Sequence, residues 1–235
     1  MFYGYGFGYL DPTYVLVIIG VVLSLAASAS VKMTFSKYSK VRSLSGITGA
    51  EAAERILHSA GIYDVSVQQI AGDLTDHYDP RSKILRLSET VYGRTSVAAI
   101  GVAAHECGHA IQHNHGYVPL KLRSAIVPVA SFGSNIAWPV IILGIIMGNS
   151  MTLINLGIIL FSFAVIFQLV TLPVEFNASS RAIRVLDESG ILYSEEISHT
   201  KKVLGAAALT YVAAAAASIL QLLRLVILFG GRNRD

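Results

Sequence analysis

Hydrophobic positions along the chain fall into two regimes: long unbroken apolar runs, and one stretch where apolar and polar residues alternate with helical or strand periods. The unbroken runs are Tyr14 to Ala29, Ala125 to Met147, Thr152 to Val174 and Val203 to Phe229. A helix needs about 20 apolar residues to cross a bilayer, with a range of about 17 to 25. The first run sits at the short end of that range, and the other three are long enough. Only Gly148, Asn149 and Ser150 separate the second run from the third, which predicts an antiparallel helical hairpin. Pro128 and Pro139 are the kink sites in its first arm.

The patterned stretch lies between the first two runs. Thr48 and Glu51 have capping-box spacing, Ala52, Ala53, Ile56 and Leu57 form a helical stripe, and Gly61 is a stop. Val65, Val67 and Gln69 then alternate as a strand. Residues 74–88 read as a hairpin, with turn chemistry at Asp79-Pro80-Arg81-Ser82 and an apolar return strand carrying Ile84, Leu85 and Leu87. Ser96 or Thr95 caps a further helix that runs through Ile100, Ala103, Ala104 and His109 to about Asn114, where Gly116 and Pro119 stop it.

Composition agrees with a membrane protein. Of 235 residues, 53% are hydrophobic and 14% charged, with mean hydropathy +0.57, whereas soluble domains are about a quarter charged. The net charge of +3 and pI near 9.0 do not point to nucleic acid, because the basic residues are dispersed at the flanks of the apolar runs. Those flanks (Lys32, Lys37, Lys40 and Arg42; Lys121 and Arg123; Arg181 and Arg184) assign segments 30–124 and 175–202 to the cytoplasmic side. The first run has no basic segment before it and reads as a retained anchor with its N-terminus outside. Met1 to Tyr9, rich in Gly, Tyr and Phe, reads as an outer interfacial segment, with a disordered tail as the plain alternative. The last run has Lys201 and Lys202 before it and Arg232 and Arg234 after, so connectivity sets its orientation, and Arg224 snorkels near one end. The single cysteine, Cys107, excludes an intrachain disulfide.

The chemistry sits on the predicted helix ending near Asn114, at His105-Glu106-Cys107-Gly108-His109. Residues four apart share a helix face, so both imidazoles can reach one ion while Glu106 stands beside it as a general base toward a metal-activated water. The plain alternative is two histidines satisfying each other or backbone carbonyls. Cys107 lies off that face and reads as a small buried residue. Gly108, costly in a helix interior, invites close approach of another helix.

A catalytic zinc has three protein ligands and one open position, so a third ligand must come from elsewhere. His115 stands six residues after His109, but Gln112 occupies the position where a glycine would support that bend. Glu175, at the end of the third apolar run just after Pro173, is the favoured alternative, with Pro173 opening a new helical segment. His113 does not converge on the same ion.

These segments resemble the bacterial YugP-like neutral zinc metallopeptidases, membrane proteins allied to the gluzincins. The resemblance rests on Ser45-Gly46-Ile47-Thr48-Gly49-Ala50-Glu51, on Asp76-His77-Tyr78-Asp79-Pro80, on Ala104 through Ala110, and on the Glu175 segment. It implies zinc on His105, His109 and Glu175, with Glu106 as base, and a substrate-binding edge in the hairpin. More distantly the chain is similar to the heat-shock-type HtpX and the CAAX-processing membrane proteases, whose third-ligand segment reads Glu-x-x-Ala-Asp. Here Ser179 replaces that Asp, and with it the carboxylate that would orient a ligand histidine.

The expected fold is a mainly α integral membrane protein with about four transmembrane helices and a small α+β zincin-like cytoplasmic domain. Its expected division is 1–29 (first helix), 30–124 (catalytic domain), 125–174 (hairpin), 175–202 (third-ligand segment) and 203–235 (last helix and tail). The expected function is hydrolysis of peptide bonds in a membrane-proximal or unfolded polypeptide, at the plasma membrane of a bacterium with the site facing the cytoplasm. An extended substrate would add beside the edge formed by residues 75–88. His77, Tyr78 and Arg181 are candidate substrate contacts, and Arg181, Tyr193 and His77 candidate oxyanion donors. Expected partners are the bilayer and a homo-oligomeric or regulatory membrane partner. The competing readings are an inactive adaptor or chaperone-like protein, which would not require Glu106, and a transporter, which the scarcity of intramembrane charge disfavours.

Overall fold

Once an apolar run forms a helix it continues until its backbone groups find other partners, so the four long helices extend past their apolar runs at one end or both. The computed structural model describes residues 11–230. Within them α1 spans Tyr14–Tyr38, α2 Gly49–Ser59, α3 Val97–Asn114, α4 Val118–Ile146, α5 Met151–Glu188 and α6 Ser194–Phe229. Strands β1 (Ser66–Ile70), β2 (His77–Asp79) and β3 (Ile84–Ser88) lie between α2 and α3. Helices α1, α4, α5 and α6 are each long and apolar enough to cross a membrane. The protein is thus a mainly α membrane protein with a small α+β part. The expectations for Met1 to Tyr9 and for Arg232 and Arg234 lie outside the described residues.

Two helices correct the sequence-based boundaries. The 38 residues of α5 are about 57 Å of helix at 1.5 Å per residue, roughly twice what a bilayer core demands. Pro173 lies inside this helix and opens no new segment. The stretch 175–202 is accordingly mostly the continuation of α5 and the start of α6. Pro128 and Pro139 also lie inside one continuous α4.

The described residues form two compact units, one of residues 11–25, 127–168 and 213–230, the other of residues 26–126 and 169–212. The first is built of apolar helix. The α4–α5 turn places Gly148 and Asn149 at φ +77° and +63°. A Cβ on Gly157 would stand 2.9 Å from the Ala137 carbonyl oxygen, so a residue without a side chain lets α4 and α5 approach closely, as membrane helix pairs do.

The second unit has the patterned core. The capping box at α2 is present: the Thr48 amide donates to Glu51 Oε2 at 2.7 Å and the Glu51 amide to Thr48 Oγ1 at 3.2 Å. Its stripe Ala52, Ala53, Ile56 and Leu57 packs on α3 and is buried in one core that also holds Leu85 and Leu87 of β3. Ser96 caps α3, accepting from the Ala99 amide. In the sheet, of order β1-β3-β2, β1 runs parallel and β2 antiparallel to β3. The hairpin turn closes as its sequence requires, with Asp79 accepting from the Arg81 amide and the Ser82 hydroxyl. These bonds hold the Asp79 carboxyl down at about 2. Because β3 is the central strand, only β2 offers a free edge within residues 75–88, a correction to the expected edge. Asp76 ties the hairpin together, accepting from the Ser88 amide at 2.7 Å and from its hydroxyl.

Candidate metal centre

The two histidines stand one turn apart on α3, and a missing side chain brings their third neighbour close. A Cβ on Gly108 would lie 2.5 Å from the Ala178 carbonyl oxygen, so only glycine lets α3 and α5 meet at this depth. The contact sets Glu175 and Ser179, which flank Ala178 on α5, against the histidine face. His105 Nε2 lies 3.3 Å and His109 Nε2 3.5 Å from Glu175 Oε2. The two rings stand edge to face with centroids 4.8 Å apart.

Both remaining ring nitrogens are engaged elsewhere. His105 Nδ1 lies 3.1 Å from Ser179 Oγ, so a hydroxyl takes the place that the related segment gives to a carboxylate. His109 Nδ1 lies 3.1 Å from Gln112 Oε1. The Gln112 amide has only one sensible orientation, because its Nε2 donates to the Val174 carbonyl at 2.8 Å and to Asn177 Oδ1 at 3.0 Å. Its Oε1 can only accept, so a neutral His109 carries its proton on Nδ1 and turns the Nε2 lone pair toward Glu175.

Glu175 is divided in the same way. Its Oε1 accepts from Arg123 of α4 at 3.0 Å, while its buried Oε2 has no hydrogen-bond partner among the described residues. His105, His109 and Glu175 present ligand atoms that all lie within 4.8 Å of one another. An unpartnered carboxylate oxygen and two imidazole Nε2 atoms, gathered at one point, fit a divalent cation of the zinc type. Burial disfavours the His109 imidazolium, but the adjacent Glu175 carboxylate and the charge of Glu106 outweigh it and raise its pKa. Positive charge is therefore favoured at this point.

Glu106 is buried at 8% exposure and close enough to His109 and Asp76 for its charge to act on both. Burial, the larger cause, and the Glu106 charge hold the Asp76 carboxyl above its usual value despite the Ser88 bonds. Tyr211 of α6 lies within electrostatic reach of Glu175 and Glu106. Cys107 points away from the site, fully buried, with its thiol against the Ala53 carbonyl.

The other sequence candidates are scattered. His115 caps α3 and is exposed, 3.4 Å from an Arg181 nitrogen, outside the ligand cluster. Arg181 donates to Asn177 Oδ1 at 2.8 Å and so connects through Asn177 and Gln112 to His109. Tyr78 bonds His113 Nδ1 at 2.9 Å, and burial, with the charges of Asp64 and Asp79, pushes its hydroxyl up to about 12. His77 lies 2.9 Å from the Thr75 carbonyl oxygen and 3.5 Å from an Arg86 nitrogen. Tyr193 is exposed at the start of α6, its amide donating to Glu196. Arg123, Gln112, Asn177 and Tyr211 were not assigned to the site by sequence reasoning. Only Gln112 had a signal, its i,i+3 spacing from His109.

The sequence has relatives among known proteins. The family described as "Putative neutral zinc metallopeptidase" matches residues 13–230. "Putative membrane protease YugP" of Bacillus subtilis (strain 168) is 53% identical over 221 residues, covering 94% of this chain and 98% of that protein. No solved structure matches the chain. A match running from the start of α1 to the end of α6, across the histidine pair and Glu175 alike, means that this chain belongs to that family of neutral zinc metallopeptidases.

Proposed function

We propose that the protein is a membrane endopeptidase of the gluzincin type, with zinc held by His105, His109 and Glu175 and Glu106 acting as general base. The observation that carries this reading is the convergence of His105 Nε2, His109 Nε2 and Glu175 Oε2, with both Nδ1 atoms and Glu175 Oε1 committed to other partners. Zinc supplies Lewis acidity to the scissile carbonyl and to the attacking water. A Glu106 carboxylate oxygen accepts the proton of that water and hands it to the departing amine nitrogen, so no net charge accumulates on the chain. Arg123 holds Glu175 Oε1 and leaves one oxygen for the ion. Gln112 keeps His109 in the tautomer that ligation needs, and Ser179 holds the orientation of the His105 ring.

An extended segment of a membrane-proximal or unfolded polypeptide adds to the free edge of β2, which is only three residues long. His77 and Tyr78 lie on that strand, and Arg181 is the further substrate contact of the reading. The basic flanks support a site on the cytoplasmic side of a bacterial plasma membrane. The expected division, 1–29, 30–124, 125–174, 175–202 and 203–235, is retained as a functional partition, since Glu175 reaches the catalytic domain from outside it. A non-cleaving adaptor remains the contrasting reading.

The test is a panel of variants in the detergent-purified chain, scored for bound zinc and for cleavage of a disordered protein. Glu106→Gln is expected to keep zinc and to lose cleavage by about 10²- to 10⁴-fold. Glu175→Ala is expected to lose zinc while His115→Ala keeps it. Cleavage that survives Glu106→Gln would overturn the assigned base, and zinc lost only with His115→Ala would overturn the ligand set.

A further inference from the structure

Where the apolar runs of α1 and α6 give way to basic residues, the second unit contains a cavity of about 420 Å³ between these two helices. Its lining includes Ser30, Thr34 and Lys37 from α1 and Lys202 from α6, with Met33 and Leu209 as the large apolar members. Among the described residues neither ammonium has a carboxylate within ion-pair distance. The two hydroxyls likewise have no hydrogen-bond partner there, although Ser24 of the same helix returns its hydroxyl to the Gly20 carbonyl at 2.9 Å. Lys37 Nζ lies over the Tyr38 ring, 5.4 Å from the centroid.

Two ammonium groups and two unengaged hydroxyls around one cavity, with no carboxylate in its lining, form a donor set for an anion. The location limits which anion. The apolar run of α1 ends at Ala29 and that of α6 begins at Val203, so the cavity lies at headgroup level if these helices cross a bilayer. Met33 and Leu209 are 67% and 53% exposed, apolar surface that hydrocarbon would cover. We propose that this cavity binds the phosphate of an anionic phospholipid headgroup, with Lys37 and Lys202 as charge partners, Ser30 and Thr34 as donors, and the acyl chains lying along Met33 and Leu209. Basic pockets between membrane helices bind such lipids in this way. The site is separate from the metal centre and does not depend on the catalytic reading.

The experiment compares phosphatidylglycerol with phosphatidylcholine on the full chain by native mass spectrometry, in detergent and with lipid added in titration. The wild type is expected to retain phosphatidylglycerol preferentially. The double variant Lys37→Gln, Lys202→Gln should weaken that binding about 30-fold, at roughly five-fold for each lysine. The variant Lys32→Gln, Lys40→Gln, which removes the same charge outside the cavity, should keep it. An equal loss in both double variants, or none in the first, would overturn the site. Displacement of the lipid by millimolar inorganic phosphate would overturn the lipid assignment and leave a free-anion site.

Discussion

His109 owes its tautomer to a carbonyl on another helix. Val174 O orients the Gln112 amide, Gln112 Oε1 holds the His109 Nδ1 proton, and Nε2 is left as a lone pair. Removing the middle link tests the chain of cause. Gln112→Leu, close in volume but without polar atoms, is expected to lower zinc affinity about 10- to 100-fold in a chelator competition. It also leaves the Val174 carbonyl without its side-chain donor, so a parallel unfolding measurement separates lost affinity from lost stability. Unchanged affinity would show that Gln112 is packing only. This residue was legible only as the wrong residue for a different bend, because sequence spacing shows which side chains share a face but not which hydrogen bonds they find. Ser179 was similar: its position marked a missing carboxylate, and only the folded chain shows the hydroxyl 3.1 Å from His105.

At the scale of elements, the pairing of α3 with α5 is what completes the site, and it depends on Gly108 facing Ala178. Gly108→Ala would gain up to about 1 kcal/mol in helix propensity, yet its methyl would meet a backbone carbonyl at 2.5 Å, which cannot swing aside as a side chain could. Overpacking of this kind costs about 1 to 3 kcal/mol. The expected net result is a lower Tm and weaker zinc binding, because any separation of the helices withdraws Glu175 from both histidines. A Tm raised above wild type would mean that α3 and α5 do not pack this closely. Element types were readable in advance: the capping box, the alternation of the strands and the apolar stripe of α2 are local patterns. Element ends were not. The polar stretches beyond the apolar runs continue as helix in α5 and α6, and Pro173 is accommodated within α5.

At the scale of the molecule, the distribution of basic residues argues for one orientation in the membrane. Reporters fused in the 148–150 turn and after Asn114 are expected to lie on opposite sides, since α4 alone separates them. Finding both on one side would remove α4 as a span and with it the cytoplasmic placement of the site.

The sequence by itself determined the membrane class, the four candidate spans, the small α+β part and the helix that carries His105, Glu106 and His109. Each of these is written in composition or in the spacing of residues a few positions apart. Glu175 was favoured over His115 from the sequence, but tertiary structure alone decided the close approach that sets it beside the histidines, that Arg123 takes its second oxygen, and that β3 lies between β1 and β2. Those outcomes join residues separated by tens of positions, and such pairings are chosen by packing, here by the close approach that Gly108 permits, which leaves no periodic signal in the chain.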